Sequence, residues 1–263
     1  MIISTVNVNG IRAAVRRGMM QWVQEQSPDV LLLQEVRAPA AVAAEQLGED
    51  WLVTTHPSDL KGRAGVAVAL RRERFEGAQV TVQTGLGPED TAADTGRWLE
   101  VCIDGDLTVV SAYLHSGSVG TEKQDAKMAY LPRVQRRLAD LEARGSALVA
   151  GDFNVVRDQR DIKNWKPNHN RTAGVLDEEM VYLNRWAEDW RDVVRDLAGD
   201  RQGPYTWWSW RGKAYDNDAG WRIDYQYATA DLAQHAESFS VYRAPTWESR
   251  FSDHAPVTVH YRR

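Results

Sequence analysis

One cysteine stands in 263 residues, Cys102, inside the apolar run Val101-Cys102-Ile103. A disulfide within the chain and a cysteine-rich zinc site are therefore excluded. The expected role of Cys102 is a small buried hydrophobe on a strand. No apolar stretch approaches the ~20 residues that span a bilayer. The opening residues, MIISTVNVNG, lack the basic segment and apolar run of a secretory leader. A soluble, cytoplasmic protein in a reducing compartment is expected. Repeats and low-complexity tracts are missing too, so one domain over residues 1–263 is expected. Nor is the chain basic: 32 Lys and Arg face 37 Asp and Glu, a formal net charge of −5. That excludes a histone-like coat but leaves room for a local basic face, which is what phosphates feel. An apolar fraction of 43% is enough to bury a sizeable core.

Short apolar runs recur along the chain. IISTVNVN, VLLLQE, WLVTTH, AGVAVALR, AQVTVQT, WLEVCI, LTVVSAYL, ALVAGD, RIDYQYAT, SFSVYR and APVTVHY read as strands, several alternating at period two. Helices are expected over 12–26 (Val15, Met19, Trp22, Val23) and over 177–197 (Met180, Leu183, Trp186, Trp190, Val194). Another is expected over 122–144 (Met128, Leu131, Val134, Leu138, Leu141), with a start signal at Thr121-x-x-Gln124 and a stop at Gly145. Strands outnumber helices, which predicts a mixed α/β fold of two packed sheets with helices outside. Residues 84–96 and 157–176 read as loops within it, and loops on a rigid scaffold carry function.

Carboxylates end several of the apolar runs. Asp29-Val-Leu-Leu-Leu-Gln-Glu35 terminates in Glu35, and Ser146-Ala-Leu-Val-Ala-Gly-Asp152 in Asp152, with Asn154 following. Asp224 lies on the face opposite Ile223 and Tyr225. Burying a lone carboxylate costs several kcal/mol unless it is paired or metal-bound. A single such strand end is equally well explained by a strand reaching solvent; three together are less easily explained that way. In the first strand Val6 and Val8 share one face, and Thr5, Asn7 and Asn9 the other. Neutral oxygen donors beside an acidic strand end suit a hard cation such as Mg²⁺, although Asn9-Gly10 is also ordinary turn chemistry. Near the end of the chain Ser252-Asp253-His254-Ala255-Pro256 has a defined extended shape, because Pro256 restricts Ala255. A carboxylate beside His254, with Asp224 available as a second, raises its basicity and fixes its tautomer. Histidines 56, 115, 169, 235 and 260 show no comparable setting and are expected to be surface or packing residues.

Taken in order, NVNGIR (7–12), LLLQE (31–35), AGVAV (64–68), GDFN (151–154), YTWWSWR (205–211), WRIDY (221–225) and SDHAP (252–256) resemble the exonuclease III family of DNA repair nucleases. That family lies within the endonuclease/exonuclease/phosphatase superfamily, and the likeness spans essentially the whole chain. The resemblance implies a four-layer α/β-sandwich with the site at one edge of the two central sheets. It implies hydrolysis of DNA phosphodiesters 5′ to abasic sites, with 3′-5′ exonuclease and 3′-end-cleaning activity, dependent on Mg²⁺ or Mn²⁺. Carried over by position, Glu35 and Asn9 look like metal-shell groups with Asp253 nearby, and Asn7 like a supporting hydrogen-bond partner. Asp152 and Asn154 match the water-activating aspartate and its phosphate-polarising neighbour. Tyr113 matches the tyrosine on the scissile phosphate, and Asp224 the aspartate that orients His254. Reversed roles for Asp152 and His254 remain open at this point. One departure stands out: the family shows a proline and an asparagine after the tyrosine, where this chain has His115-Ser116.

The aromatic residues Tyr205, Trp207, Trp208, Trp210, Tyr215 and Trp221 read mostly as core. Trp207, however, falls where the family places an aromatic that lines the sugar pocket, with Phe251 a second wall and Trp247 a weaker candidate. The loop from Arg157 to Arg171, with Lys163 and an interleaved Trp165, and the turns bearing Lys61, Arg63, Arg211 and Lys213 are candidate phosphate grips. The expected partner is double-stranded DNA with abasic sites or 3′ ends, bound by a monomer, with no membrane. Two rivals are a superfamily phosphodiesterase for small-molecule or lipid substrates and a non-catalytic nucleic-acid scaffold. The first would keep Glu35, Asp152, Asn154 and His254 without needing Trp207 or the basic loop. The second should have lost a carboxylate or the histidine, and none is missing.

Overall fold

The computed structural model describes residues 1–262. Among the described residues the eleven apolar runs fold as strands and a short twelfth, β9, joins them: β1 (Ile2–Asn7), β2 (Val30–Gln34), β3 (Trp51–His56), β4 (Val66–Arg71), β5 (Val80–Thr84), β6 (Trp98–Ile103), β7 (Leu107–Tyr113), β8 (Ser146–Asp152), β9 (Arg191–Asp192), β10 (Asp224–Ala228), β11 (Ala236–Val241) and β12 (Val257–Tyr261). They form two six-stranded sheets, ordered β11-β12-β1-β2-β4-β3 and β5-β6-β7-β8-β10-β9. The pairings β1/β2 and β7/β8 are parallel. Each needs a crossover, supplied by helices Ile11–Arg16 and Met19–Gln26 in the first case and Glu122–Glu142 in the second.

Side-chain alternation builds the layers. On β2, Val30 and Leu32 face the other sheet, where Val101, Val109 and Leu148 meet them, while Leu31 and Leu33 pack under Met19, Trp22 and Val23. Val110, Val149 and Tyr227 of the second sheet pack beneath Leu131, Val134, Leu138 and Trp186 of the helices outside it. The result is helix, sheet, sheet, helix: the expected four-layer α/β-sandwich.

Local departures have local causes. The helix expected over 12–26 breaks at Gly18, which takes a left-handed φ of 99° before the second helix restarts at Met19. The helix expected over 177–197 ends at Asp189, because Arg191 and Asp192 leave to pair with β10. A new helix, Val193–Ala198, then starts under the Asp192 carboxylate, which accepts from the Arg195 amide. The start signal at Thr121 does not close a capping box. Thr121 turns its hydroxyl to the Ser118 carbonyl, and Gln124 is drawn inward to Glu179 (2.7 Å). Cys102 is on a strand as expected but only half-buried, since its neighbour β5 is a largely exposed edge strand.

Strand register brings the polar strand ends together. Asn7 pairs with Gln34 at the ends of β1 and β2, and Tyr113 with Asp152 at the ends of β7 and β8. The antiparallel β10 begins with Asp224 opposite Asp152. The antiparallel β12 delivers residues 252–256 to the same edge. Buried polar bridges then hold the two sheets in one relation. Gln34 donates to Ser111 Oγ (3.0 Å), Ser111 donates to the Leu33 carbonyl (2.8 Å), and Gln226 donates to the Ile3 carbonyl (3.0 Å). Gly151 is required just before Asp152: its φ is 145°, and a Cβ there would lie 1.9 Å from the Ala112 carbonyl oxygen. Among the described residues no helix is long and apolar enough to cross a membrane.

Candidate active site

Asn7, fully buried, sits at the centre of the polar edge. Its Nδ2 donates to Glu35 Oε1 at 2.8 Å and to Asp152 Oδ2 at 2.9 Å, so a single amide joins a carboxylate of each sheet. Its Oδ1 accepts from the Asn9 backbone amide (3.0 Å), and Asn9 Nδ2 in turn donates to Asp253 Oδ1 (2.9 Å). Trp207 Nε1 donates to the other oxygen of Asp253 (3.1 Å). On the far side His254 Nδ1 faces both oxygens of Asp224, at 2.9 and 3.1 Å, and its Nε2 stands 3.7 Å from Asp152 Oδ2. Asn154 donates to Asp152 through its backbone amide (2.9 Å) and its Nδ2 (3.2 Å). Asn9, Glu35 and Asn154 all take a positive φ, 47°, 49° and 52°. Asparagine tolerates that region, but for Glu35 it is a strain that the surrounding structure must hold.

The charges are strongly coupled. Burial pushes the Asp152 carboxyl up to about 7, and the neighbouring Asp224 and Glu35 charges add to the rise against the pull of His254. Burial opposes a charge on His254, but Asp224 and Asp152 outweigh it and hold the imidazole at about 10. At neutral pH the histidine is therefore an imidazolium clamped to Asp224. Burial raises the Tyr113 hydroxyl well above its usual value, reinforced by Glu35 and Asp152. Asp253 is held below the carboxylate range: burial works against this, but His254, Asn9 and Trp207 prevail.

These groups floor an open cleft lined by Glu35, Tyr113, Asp152, Asn154, Trp207 and His254, with Arg171 on its rim. All six residues expected to act on the substrate (Asp152, His254, Asp224, Tyr113, Asn154, Asn7) lie at this edge, as do Glu35, Asn9 and Asp253. Trp207 is partly exposed, with its ring edge-on to Trp221 at 5.6 Å. Arg63 lines a second groove that shares Glu35, Tyr113 and Ser116 with the first. Phe251 corrects an expectation: it is 5% exposed and packs on Trp22, ring centroids 5.9 Å apart, because the apolar space behind the site is a better home for a benzyl group than the wet cleft. Lys163 and Arg211 are exposed on loops outside the cleft lining. Arg157 and Arg160 are tied to Asp192, Asp158 and Asp200, so the basic loop has fewer free cations than its sequence promises. Trp247 is exposed and sits edge-on to Trp210.

The sequence did not flag several supports. Arg37 is ion-paired with Glu35 and lines both grooves. Arg97 lies over the Tyr113 ring at 4.8 Å. Lys127 is wholly buried and bonds Glu179 (2.8 Å) and the carbonyls of Asn154 (3.0 Å) and Ser116 (3.3 Å). Its spacing with Gln124, Leu131, Val134 and Leu138 placed it on the buried helix face, a usable signal. His115 is a packing residue, as expected, set edge-on against Tyr130, but it also has a buried carboxylate partner that the sequence did not indicate. It is 6% exposed and its Nε2 lies 2.7 Å from Asp94, itself 6% exposed. Burial, then the Arg97 charge, holds His115 down at about 4 despite Asp94. Its contribution to stability is therefore complete above the ordinary value near 6.5 and is lost as pH falls through about 4, a window worth roughly 3 kcal/mol. Urea midpoints of the wild type should fall more steeply between those pH values than those of His115→Gln; parallel curves would contradict this.

A protonated imidazole held by one buried carboxylate beside another of raised pKa, with amide donors alongside, suits attack of water on an anionic ester. The chain belongs to the endonuclease/exonuclease/phosphatase family, whose model matches residues 4–254. An exodeoxyribonuclease of Bacillus subtilis is 30% identical over 255 residues, 96% of each chain. The DNA repair nuclease APEX1 of Danio rerio is 29% identical, over 98% of this chain and 81% of its own. An AP endonuclease structure from Archaeoglobus fulgidus superposes with a TM-score of 0.82 at 25% identity, covering 99% of both chains.

Proposed function

We propose that this protein hydrolyses DNA phosphodiesters in base-excision repair, cutting 5′ to abasic sites and trimming 3′ ends. The observation that carries this reading is the single Asn7 amide joining Glu35 to Asp152, 3.7 Å from the imidazole of His254. Asp152, poised near neutrality, takes the proton of the attacking water, while Asn7 and Asn154 hold its carboxylate in line. His254, fixed by Asp224, presents a charged N–H to a phosphate oxygen as negative charge builds. Asn154 and Tyr113 supply further polar groups on the same wall. Trp207, anchored on Asp253, forms the flat side against which an extruded sugar rests.

Glu35 and Asp253, the latter bonded to Asn9, offer hard carboxylate oxygens on the cleft side and fit Mg²⁺ or Mn²⁺. In the tighter group of Asp152, Asp224 and His254, whose ligand atoms lie within 4.8 Å, the donors are already engaged: His254 Nδ1 with Asp224, and Asp152 with the amides of Asn7 and Asn154. A cation held by the first set would neutralise charge on the phosphate and the leaving oxygen. The second groove extends the cleft past Arg37, Arg63, Arg97 and Lys123. That length favours a polymer over a small or lipid phosphodiester.

The test is cleavage of a duplex with one synthetic abasic site beside an undamaged duplex with a recessed 3′ end, in Mg²⁺ and in EDTA. Cleavage of the abasic duplex in Mg²⁺ alone supports the reading, and no cleavage of either duplex sinks it. Neutralising about four phosphates would make DNA affinity fall about 10²-fold between about 50 and 200 mM salt. An affinity indifferent to salt over that range contradicts the assigned grips.

A further inference from the structure

The departure at residues 115–116 has a structural counterpart away from the reacting atoms. His115 packs edge-on against Tyr130 (5.1 Å) and reaches Asp94 in the loop between β5 and β6. The Asp94 carboxylate also accepts from the Thr91 amide and hydroxyl, both at 2.9 Å, and from Arg133 at 3.3 Å. Arg133 holds Asp90 of the same loop as well. Two residues on, Gly96 is wedged against the backbone, where a Cβ would lie 2.7 Å from the Ser58 nitrogen and 2.8 Å from that of Gly65. Arg97 follows directly. Its Nε donates to the Ala93 carbonyl (2.7 Å), its Nη1 reaches the Tyr113 carbonyl (3.4 Å), and its guanidinium covers the Tyr113 ring. The placement of Arg97 thus depends on a loop turn that Asp94 closes and His115 anchors.

We propose that His115 is a positioning residue that acts through Arg97. By clasping Asp94 it keeps Arg97 over Tyr113 at the mouth of the second groove, where the guanidinium takes a backbone phosphate of the bound strand. This rests on the reading of the protein as a DNA hydrolase. It also offsets the departure: where the family's asparagine would offer an amide to phosphate, this chain offers an arginine held from behind.

The test compares His115→Phe, which keeps a ring against Tyr130 but loses the bond to Asp94, with His115→Gln, which keeps a donor. Arg97→Met and the His115→Phe/Arg97→Met double variant complete the cycle. kcat and KM are measured on the abasic duplex in Mg²⁺, and Kd for the same duplex in EDTA. His115→Phe should raise KM and Kd about tenfold, the scale of one charged hydrogen bond, with kcat within about twofold. His115→Gln should stay near wild type, and the double variant should be no worse than Arg97→Met. Unchanged Kd in His115→Phe, failure of Gln to rescue, or a full extra factor in the Arg97→Met background would each overturn the proposal. If the wild type cleaves nothing, the hydrolase reading fails, while the Kd cycle in EDTA still decides the clasp.

Discussion

Asp152→Asn should lower kcat on an abasic duplex by about 10²–10⁴-fold, the range attributable to a positioned proton acceptor. The amide cannot accept the proton of water, and its NH₂ would point at the Asn7 and Asn154 side-chain amides that Asp152 now receives. Affinity for DNA should survive, because the basic rim and Trp207 are untouched, and removing a buried charge relieves repulsion with Asp224 and Glu35. Single-turnover rates together with Kd in EDTA separate the two effects. Wild-type turnover in the variant would remove Asp152 from the mechanism.

Arg222→Met should be the most damaging single change to stability away from the reacting groups. Arg222 is fully buried and donates to both Asp161 (2.7 and 2.9 Å) and Asp192 (3.0 and 2.9 Å), with its guanidinium over Tyr225 at 4.5 Å. Removing one partner of a buried ion pair costs about 3–5 kcal/mol. The lower end is expected here, since Asp161 keeps Arg195 and Asp192 keeps Arg157. That corresponds to a fall in melting temperature of roughly 10 °C for a chain of this size. Thermal unfolding monitored by circular dichroism checks it; a fall under about 2 °C would show that the cluster contributes little to stability. Because Asp224 lies two residues on, activity at 25 °C should also drop modestly while His254 stays paired.

Much of this is legible from residue order. The alternation in β1 correctly separates Val6 and Val8 from Thr5 and Asn7, because side chains on a strand must point to opposite faces. Carboxylates at the ends of apolar runs point to Glu35 and Asp152 for a sound reason: a charge is costly to leave unpaired where a sheet is buried on both sides. Phe251 misleads, since nearness in sequence to Asp253 says nothing about which side of the chain faces the cleft. His115 packs as expected, but its bond to Asp94 is not legible, because that partner lies 21 residues away in a loop whose composition gives no sign of burial.

Period, residue type and turn chemistry act over a few residues, so the chain alone determined the strands of its apolar runs, three helical stretches and which residue types waited at the strand ends, while the helix Ala40–Leu47 and the strand β9 were not legible in it. Distances between segments were decided only in three dimensions. Parallel and antiparallel register set Asp224 opposite Asp152, and buried amides bridging the sheets placed Glu35 within one side chain of both sheets' polar ends. Pairings such as His115 with Asp94 or Arg222 with Asp161 and Asp192 depend on how much water packing excludes, and that is a property of the whole fold.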